Sequence, residues 1–149
     1  MFSKFSFWIW GAVVSQLLSA AFHSIGFFVT PQPENDSERQ LFNLMDNYKM
    51  DLGAGFSRSF ADLFLSLSIC FTLICTLGAV VNWYMKRQSI PADIWGGLLL
   101  IELVVFGILF LVMLKFAFLI PIVCTGAIFS FLVGAYLTNK QARQRINEL

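Results

Sequence analysis

Four stretches of the chain are apolar for long enough to cross a lipid bilayer, and polar residues punctuate the gaps between them. The hydrocarbon layer is about 30 Å thick and a helix rises about 1.5 Å per residue, so a crossing needs about 20 mostly apolar residues. The pattern predicts spans at about 5–29, 60–84, 94–114 and 118–137. Thr30-Pro31-Gln32-Pro33 stops the first and Met85-Lys86-Arg87 the second. The third begins after Pro91-Ala92-Asp93 and ends at Lys115; the fourth closes on Thr138-Asn139-Lys140. Pro121 is the only proline inside a span, and it falls in the first turn, where no helical N–H bond is lost. Backbone groups in lipid must pair internally, so helices are expected rather than open strands. The predicted fold is therefore all-α: a membrane bundle of four transmembrane helices, one domain over 1–149, with a cytoplasmic tail at 138–149.

The first loop, about 30–59, is the one sizeable piece outside the spans. Ser37 and Gln40 have the spacing of a capping box. Leu41, Leu44, Met45, Tyr48 and Leu52 then recur at helical intervals, predicting an amphipathic helix that Gly53-Ala54-Gly55 brings to an end. Such a helix lies on the bundle or bilayer surface, or docks a partner.

Basic residues set the expected orientation. Lys4, Lys86, Arg87, Lys140, Arg143 and Arg145 fall in the short N-terminal, second-loop and C-terminal stretches. Arg39, Lys49, Arg58 and Lys115 are spread over the other two loops. Positive residues collect on the cytoplasmic side, so both termini are expected there and the first loop outside. Ser19-Ala20-Ala21 after Lys4 and an apolar run also fits a cleavable signal peptide. The apolar character continues to Val29, longer than a usual signal core, which favours a retained span.

Composition agrees with the pattern and removes other classes. Apolar residues make up 58% and charged residues 13%, with 17 Phe and 4 Trp, more than a soluble core of 149 residues hides. A soluble enzyme and a disordered chain are excluded. A net charge of +1 offers no basic patch for nucleic acid.

Ionisable groups inside lipid are costly, so each one is a candidate for function. Glu102 sits about eight residues into the third span, roughly 12 Å from its end. No Lys or Arg lies within seven residues on either side, so its partner must come from another helix: Gln16, Thr76 and Ser130 match its depth. Burial without a cation favours a neutral, hydrogen-bonded acid. The role is either an inter-helix hydrogen bond or contact with a proton, ion or ligand.

A second set faces the opposite end of the spans. Ala12, Gln16, Ser19, His23 and Gly26 lie along one small, polar face of the first helix, expected to point inward. His23, the one histidine, then nears the outer boundary, where Arg58 and Asp62 sit one turn apart and Lys115 reaches a similar level. Together they predict an outward-facing mouth suited to proton exchange or to a carboxylate or phosphate head group, or else a structural ion pair with snorkelling side chains. Cys70, Cys75 and Cys124 have no metal-ligand spacing and no Cys-x-x-Cys, so no metal and no cofactor are expected. Trp8, Trp10, Trp83, Tyr84, Trp95 and Tyr136 are expected near the cytoplasmic boundary.

The stretch Glu38-Arg39-Gln40-Leu41 through Asn47-Tyr48-Lys49-Met50-Asp51-Leu52, continuing to Arg58-Ser59-Phe60-Ala61-Asp62-Leu63, resembles a family of small bacterial four-helix integral membrane proteins with no assigned activity. That resemblance implies a topology and the bacterial inner membrane, and carries no catalytic residue. Size and span count are also similar to DoxX-type proteins. Small multidrug exporters place their membrane Glu in the first helix, where this chain has Gln16. The leading expectation is a non-enzymatic lipid- or small-molecule-binding protein or accessory subunit, with membrane lipids, a partner membrane protein or a second copy as its partners. The alternative is a small proton-coupled transporter or membrane enzyme using Glu102.

Overall fold

The computed structural model describes residues 2–29, 32–88 and 90–147. Four of its helices are long and apolar enough to cross a membrane: α1 (Phe2–Ile25), α3 (Phe60–Arg87), α4 (Ala92–Phe116) and α5 (Leu119–Asn147). Between α1 and α3 lie a short helix, α2 (Asp36–Asn47), and two three-residue strands, β1 (Lys49–Asp51) and β2 (Ser57–Ser59). The fold is all-α apart from that ladder. The predicted stop at Thr30-Pro31 lies outside the described residues, and so does the side chain of Arg145.

The chain divides into two compact units. The first takes Met1–Ala20 and Ile74–Leu149; the second takes Ala21–Leu73. In the first unit α4 and α5 pack most closely, through a reciprocal arrangement of glycine and phenylalanine. A Cβ at Gly107 of α4 would lie 3.1 Å from Phe129 of α5, and one at Gly126 of α5 would lie 3.0 Å from Phe110 of α4. The two rings stack at 6.0 Å. Absent side chains let the backbones approach, which is how helices associate where lipid offers no hydrophobic drive. α1 joins α5 by the same device: Gly134 receives the Trp8 indole and Gly11 receives the Phe131 ring. Ile9, Ala12, Leu99, Phe106, Ile128, Leu132 and Ala135 fill the centre, while Val104, Ile108, Leu111 and Val123 stay exposed, as lipid-facing side chains do.

The open end of the α4–α5 pair is tied by polar groups. Asn139 is buried and donates from Nδ2 to the Ala92 carbonyl at 2.9 Å, and Arg143 pairs with Asp93 at 2.5 Å. These contacts need α5 to continue as a helix past Leu137 as far as Arg143, and the helix ends at Asn147, ten residues beyond the expected end of the fourth span. Hydropathy marks the lipid edge, whereas the helix itself runs on through Thr138 to Arg143. Trp95 is likewise buried, with Phe5 edge-on at 5.2 Å, while Trp10, Trp83 and Tyr84 are exposed.

In the second unit, Asn35 caps α2, two residues ahead of the expected Ser37. Its Oδ1 accepts from Glu38 N at 2.9 Å, and the Glu38 carboxylate accepts from Asn35 Nδ2 and Glu34 N. Asn35 with Glu38 thus takes the role predicted for Ser37 with Gln40. The helix also stops earlier than expected, with Tyr48 as its cap. Gly53, Ala54 and Gly55 all adopt positive φ (82°, 52° and 81°), and Gly53 N donates to Asp51 Oδ1 at 2.9 Å. That turn reverses the chain, pairs Met50 with Arg58, and moves Leu52 out of the helix into a hairpin.

Candidate functional site

The polar residues of the first unit converge within its core. Glu102 is 7% exposed, on a helix otherwise carrying Leu, Ile, Val and Phe at that level. Its Oε2 accepts from Asn82 Nδ2 of α3 at 2.8 Å, and the same Nδ2 donates to Oε1 of Gln16 on α1 at 3.3 Å. Gln16 and Asn82 have no exposed surface at all. Three helices therefore contribute one polar side chain each to a single buried cluster. In a water-poor interior each of these groups needs a partner, so the cluster fixes the register of α1, α3 and α4 against one another.

Packing explains why the cluster is closed. Gly78, one turn before Asn82, leaves room for the Gln16 amide: a Cβ there would lie 2.5 Å from Gln16 Nε2 and 3.3 Å from Phe106. Two polar atoms in the cluster stand without partners, Gln16 Nε2 and Asn82 Oδ1.

Asn82 is a partner for Glu102 that depth along the helices does not predict. Ser130, expected as a partner, is exposed and donates to the Gly126 carbonyl instead, and Thr76 is half-buried. The reason is directional. Helical side chains lean toward the N-terminus of their own helix. Because α3 and α4 run in opposite directions about a short turn, Asn82 leans away from that turn and Glu102 leans toward it, so residues at different depths meet. An Asn inside an apolar run was itself the available signal.

In the second unit, the residues expected to form a mouth keep separate partners. His23 is half-buried beside Phe71 (4.7 Å between ring centroids) and edge-on to Phe27 (6.0 Å), with Nε2 unpartnered. Arg58 is exposed and donates to the Ser57 carbonyl at 3.1 Å. Ser59 caps α3 in a capping box with Asp62: Ser59 Oγ accepts from Asp62 N at 3.2 Å, and the Asp62 carboxylate accepts from Ser59 N at 3.1 Å. Among the described residues no hydrogen bond or ion pair joins His23, Arg58 and Asp62. The carboxylate is already committed to the helix start, where it meets unpaired N–H groups and the positive end of the dipole. Lys115 belongs to the other unit, its ammonium 5.1 Å from the Phe116 ring. Of the inward face expected on α1, Ala12, Gln16 and Ser19 are buried, while Gly26 is exposed.

No group of three or more His, Cys, Asp or Glu placed to hold a metal occurs among the described residues. The remaining conspicuous surface is apolar. Leu41 (52% exposed), Leu44 (61%), Tyr48 (59%), Leu52 (51%) and Phe56 (59%) stand open on α2 and the hairpin, and no residue of α2 is buried. Compared with family models, curated proteins and solved structures, the chain matches none.

Proposed function

We propose that the protein is a non-enzymatic accessory subunit of the bacterial cytoplasmic membrane, which holds a partner membrane protein against the segment between its first two spans. The observation that carries this is the exposed apolar row on α2 and the hairpin, outside the four long helices. Five large apolar side chains left in water in one 28-residue segment (32–59) mark an interaction surface.

Charge selects the occupant. Residues 32–59 hold five acidic side chains (Glu34, Asp36, Glu38, Asp46, Asp51) and three basic ones (Arg39, Lys49, Arg58), a net charge of −2. Helices that lie on membranes are typically rich in Lys and Arg, which anionic head groups attract. An acidic rim instead complements a protein surface carrying Lys or Arg around an apolar patch. Both termini are read as cytoplasmic from the clustering of Lys4, Lys86, Arg87, Lys140 and Arg143, and the single crossing of α1 then puts the α2 segment outside.

The rival transporter or enzyme reading relies on Glu102. Closure of that cluster weighs against it, because the space beside Gly78 is taken by the Gln16 amide and leaves little room for a substrate. Photo-crosslinking from position 44 in intact cells tests the proposal. A discrete protein adduct, lost when Leu41 and Tyr48 are both changed to Ser, supports it; adducts to lipid alone contradict it.

A further inference from the structure

We infer that the C-terminal end of α3 binds an anionic phospholipid, with the phosphate held by Lys86 and Arg87 and an acyl chain laid along the row that leads up to them. Leu77, Val80, Tyr84 and Arg87 follow one another at intervals of three, four and three, so they share one side of the helix. Leu77, Val80 and Tyr84 are large side chains left exposed, and Arg87 is exposed at their end. Apolar, then amphipathic aromatic, then cationic is the order in which a phospholipid presents its chain, its interface and its phosphate to a helix crossing the leaflet.

Arg87 is held in a geometry that suits this role. Its guanidinium lies over the Trp83 ring, 4.6 Å from the centroid and one turn back along the helix. Trp83 is itself exposed, so the pair sits at the surface rather than in the core. A guanidinium resting on a ring engages it through its face, and its N–H donors point outward in its own plane, available to two phosphate oxygens at once. Lys86 precedes it, half-buried, one turn beyond Asn82 on the same face. An apolar stem with a charged end of that kind carries its ammonium to the level of the head groups.

The local balance of charge favours an anionic head group over a zwitterionic one. In this unit the described carboxylates are Asp93, paired with Arg143, and Glu102, buried against Asn82. Among the described residues, therefore, neither Lys86 nor Arg87 has a carboxylate partner. Lys4, near the start of α1, and Lys140, near the end of α5, add exposed cations at the same end of the unit. A zwitterionic lipid brings an ammonium of its own into that field, and an anionic lipid does not. An acidic protein surface would meet the two cations but has no use for the apolar row below them. The inference rests on α3 crossing the bilayer, holds for either orientation, and does not depend on what α2 binds.

Native mass spectrometry of the full chain tests it, with phosphatidylglycerol or phosphatidylcholine of identical acyl chains added to the detergent-solubilised protein. The wild type should bind phosphatidylglycerol about five-fold more tightly or better, the effect of one cation near an anionic head group. Lys86→Gln combined with Arg87→Gln should bring the two lipids level while leaving phosphatidylcholine binding unchanged, which shows that the fold is kept. Lys4→Gln combined with Lys140→Gln removes as much charge from the same end of the unit and should retain most of the preference. Equal affinity for the two lipids in the wild type overturns the inference. So does a preference that survives loss of Lys86 and Arg87, or one that disappears as fully with Lys4 and Lys140.

Discussion

Asn82 reaches Glu102 across the α3–α4 pair, its Nδ2 donating to Oε2 at 2.8 Å, in a core with no water-exposed amide surface. This contact and its extension to Gln16 tie α1 and α3 into the first unit's core. Its importance follows from burial: a polar group in that position needs a partner.

Replacement of Glu102 by Gln should leave the fold intact, because the Gln oxygen still accepts from Asn82. Glu102→Ala removes the acceptor and strands the Asn82 donor, at a cost of about 1–2 kcal/mol. Unfolding of the two variants in mild detergent separates these outcomes. A Gln variant as unstable as the Ala variant would contradict the hydrogen-bond account.

Close approach of helices at glycine makes a sharper comparison. Gly134→Ala drives a methyl into the rigid indole of Trp8, and should cost about 1–3 kcal/mol. Gly97→Ala meets nothing within 4 Å and should be close to neutral. Equal thermal stability for the two would mean that α1 does not sit against α5 as described.

Two polar contacts close the open end of the α4–α5 pair, and burial ranks them. Asp93 and Arg143 side chains are 76% and 47% exposed, so their ion pair should contribute at most about 1 kcal/mol and fade with added salt. Asn139 is buried, and Asn139→Ala should cost about 1 kcal/mol at any ionic strength. Chemical denaturation at low and high salt distinguishes them.

The cap of α2 offers a local test. Asn35→Ala should cost the helix about 1 kcal/mol, whereas Ser37→Ala should have little effect. Hydrogen exchange at the amides of 36–39 reads this directly, with faster exchange expected only in the Asn35 variant.

How far the sequence carries can be judged at individual residues. The four long helices were legible because about 20 apolar residues in a row admit little else. The end of α2 was not: Leu44, Tyr48 and Leu52 keep a four-residue interval, which a helix and a helix-plus-hairpin share. What decides is backbone conformation at Gly53, Ala54 and Gly55, invisible to hydrophobic periodicity. Asn35 and Ser37 are both good caps two residues apart, and the Glu38 carboxylate selects the first. For the buried cluster, Gln16 and Glu102 stood out as polar residues in apolar runs. Asn82 is hidden from a reading by depth because depth along the backbone omits the lean of side chains toward helix N-termini.

Membrane threading underlies everything proposed for this chain, and single-cysteine labelling tests it most directly. In a background with Cys70, Cys75 and Cys124 replaced, a membrane-impermeant maleimide added to intact cells or right-side-out vesicles should label Leu44→Cys at once. Gln88→Cys and Lys140→Cys should react only after the membrane is opened. Labelling of Gln88→Cys from outside, or protection of Leu44→Cys until lysis, would contradict the account.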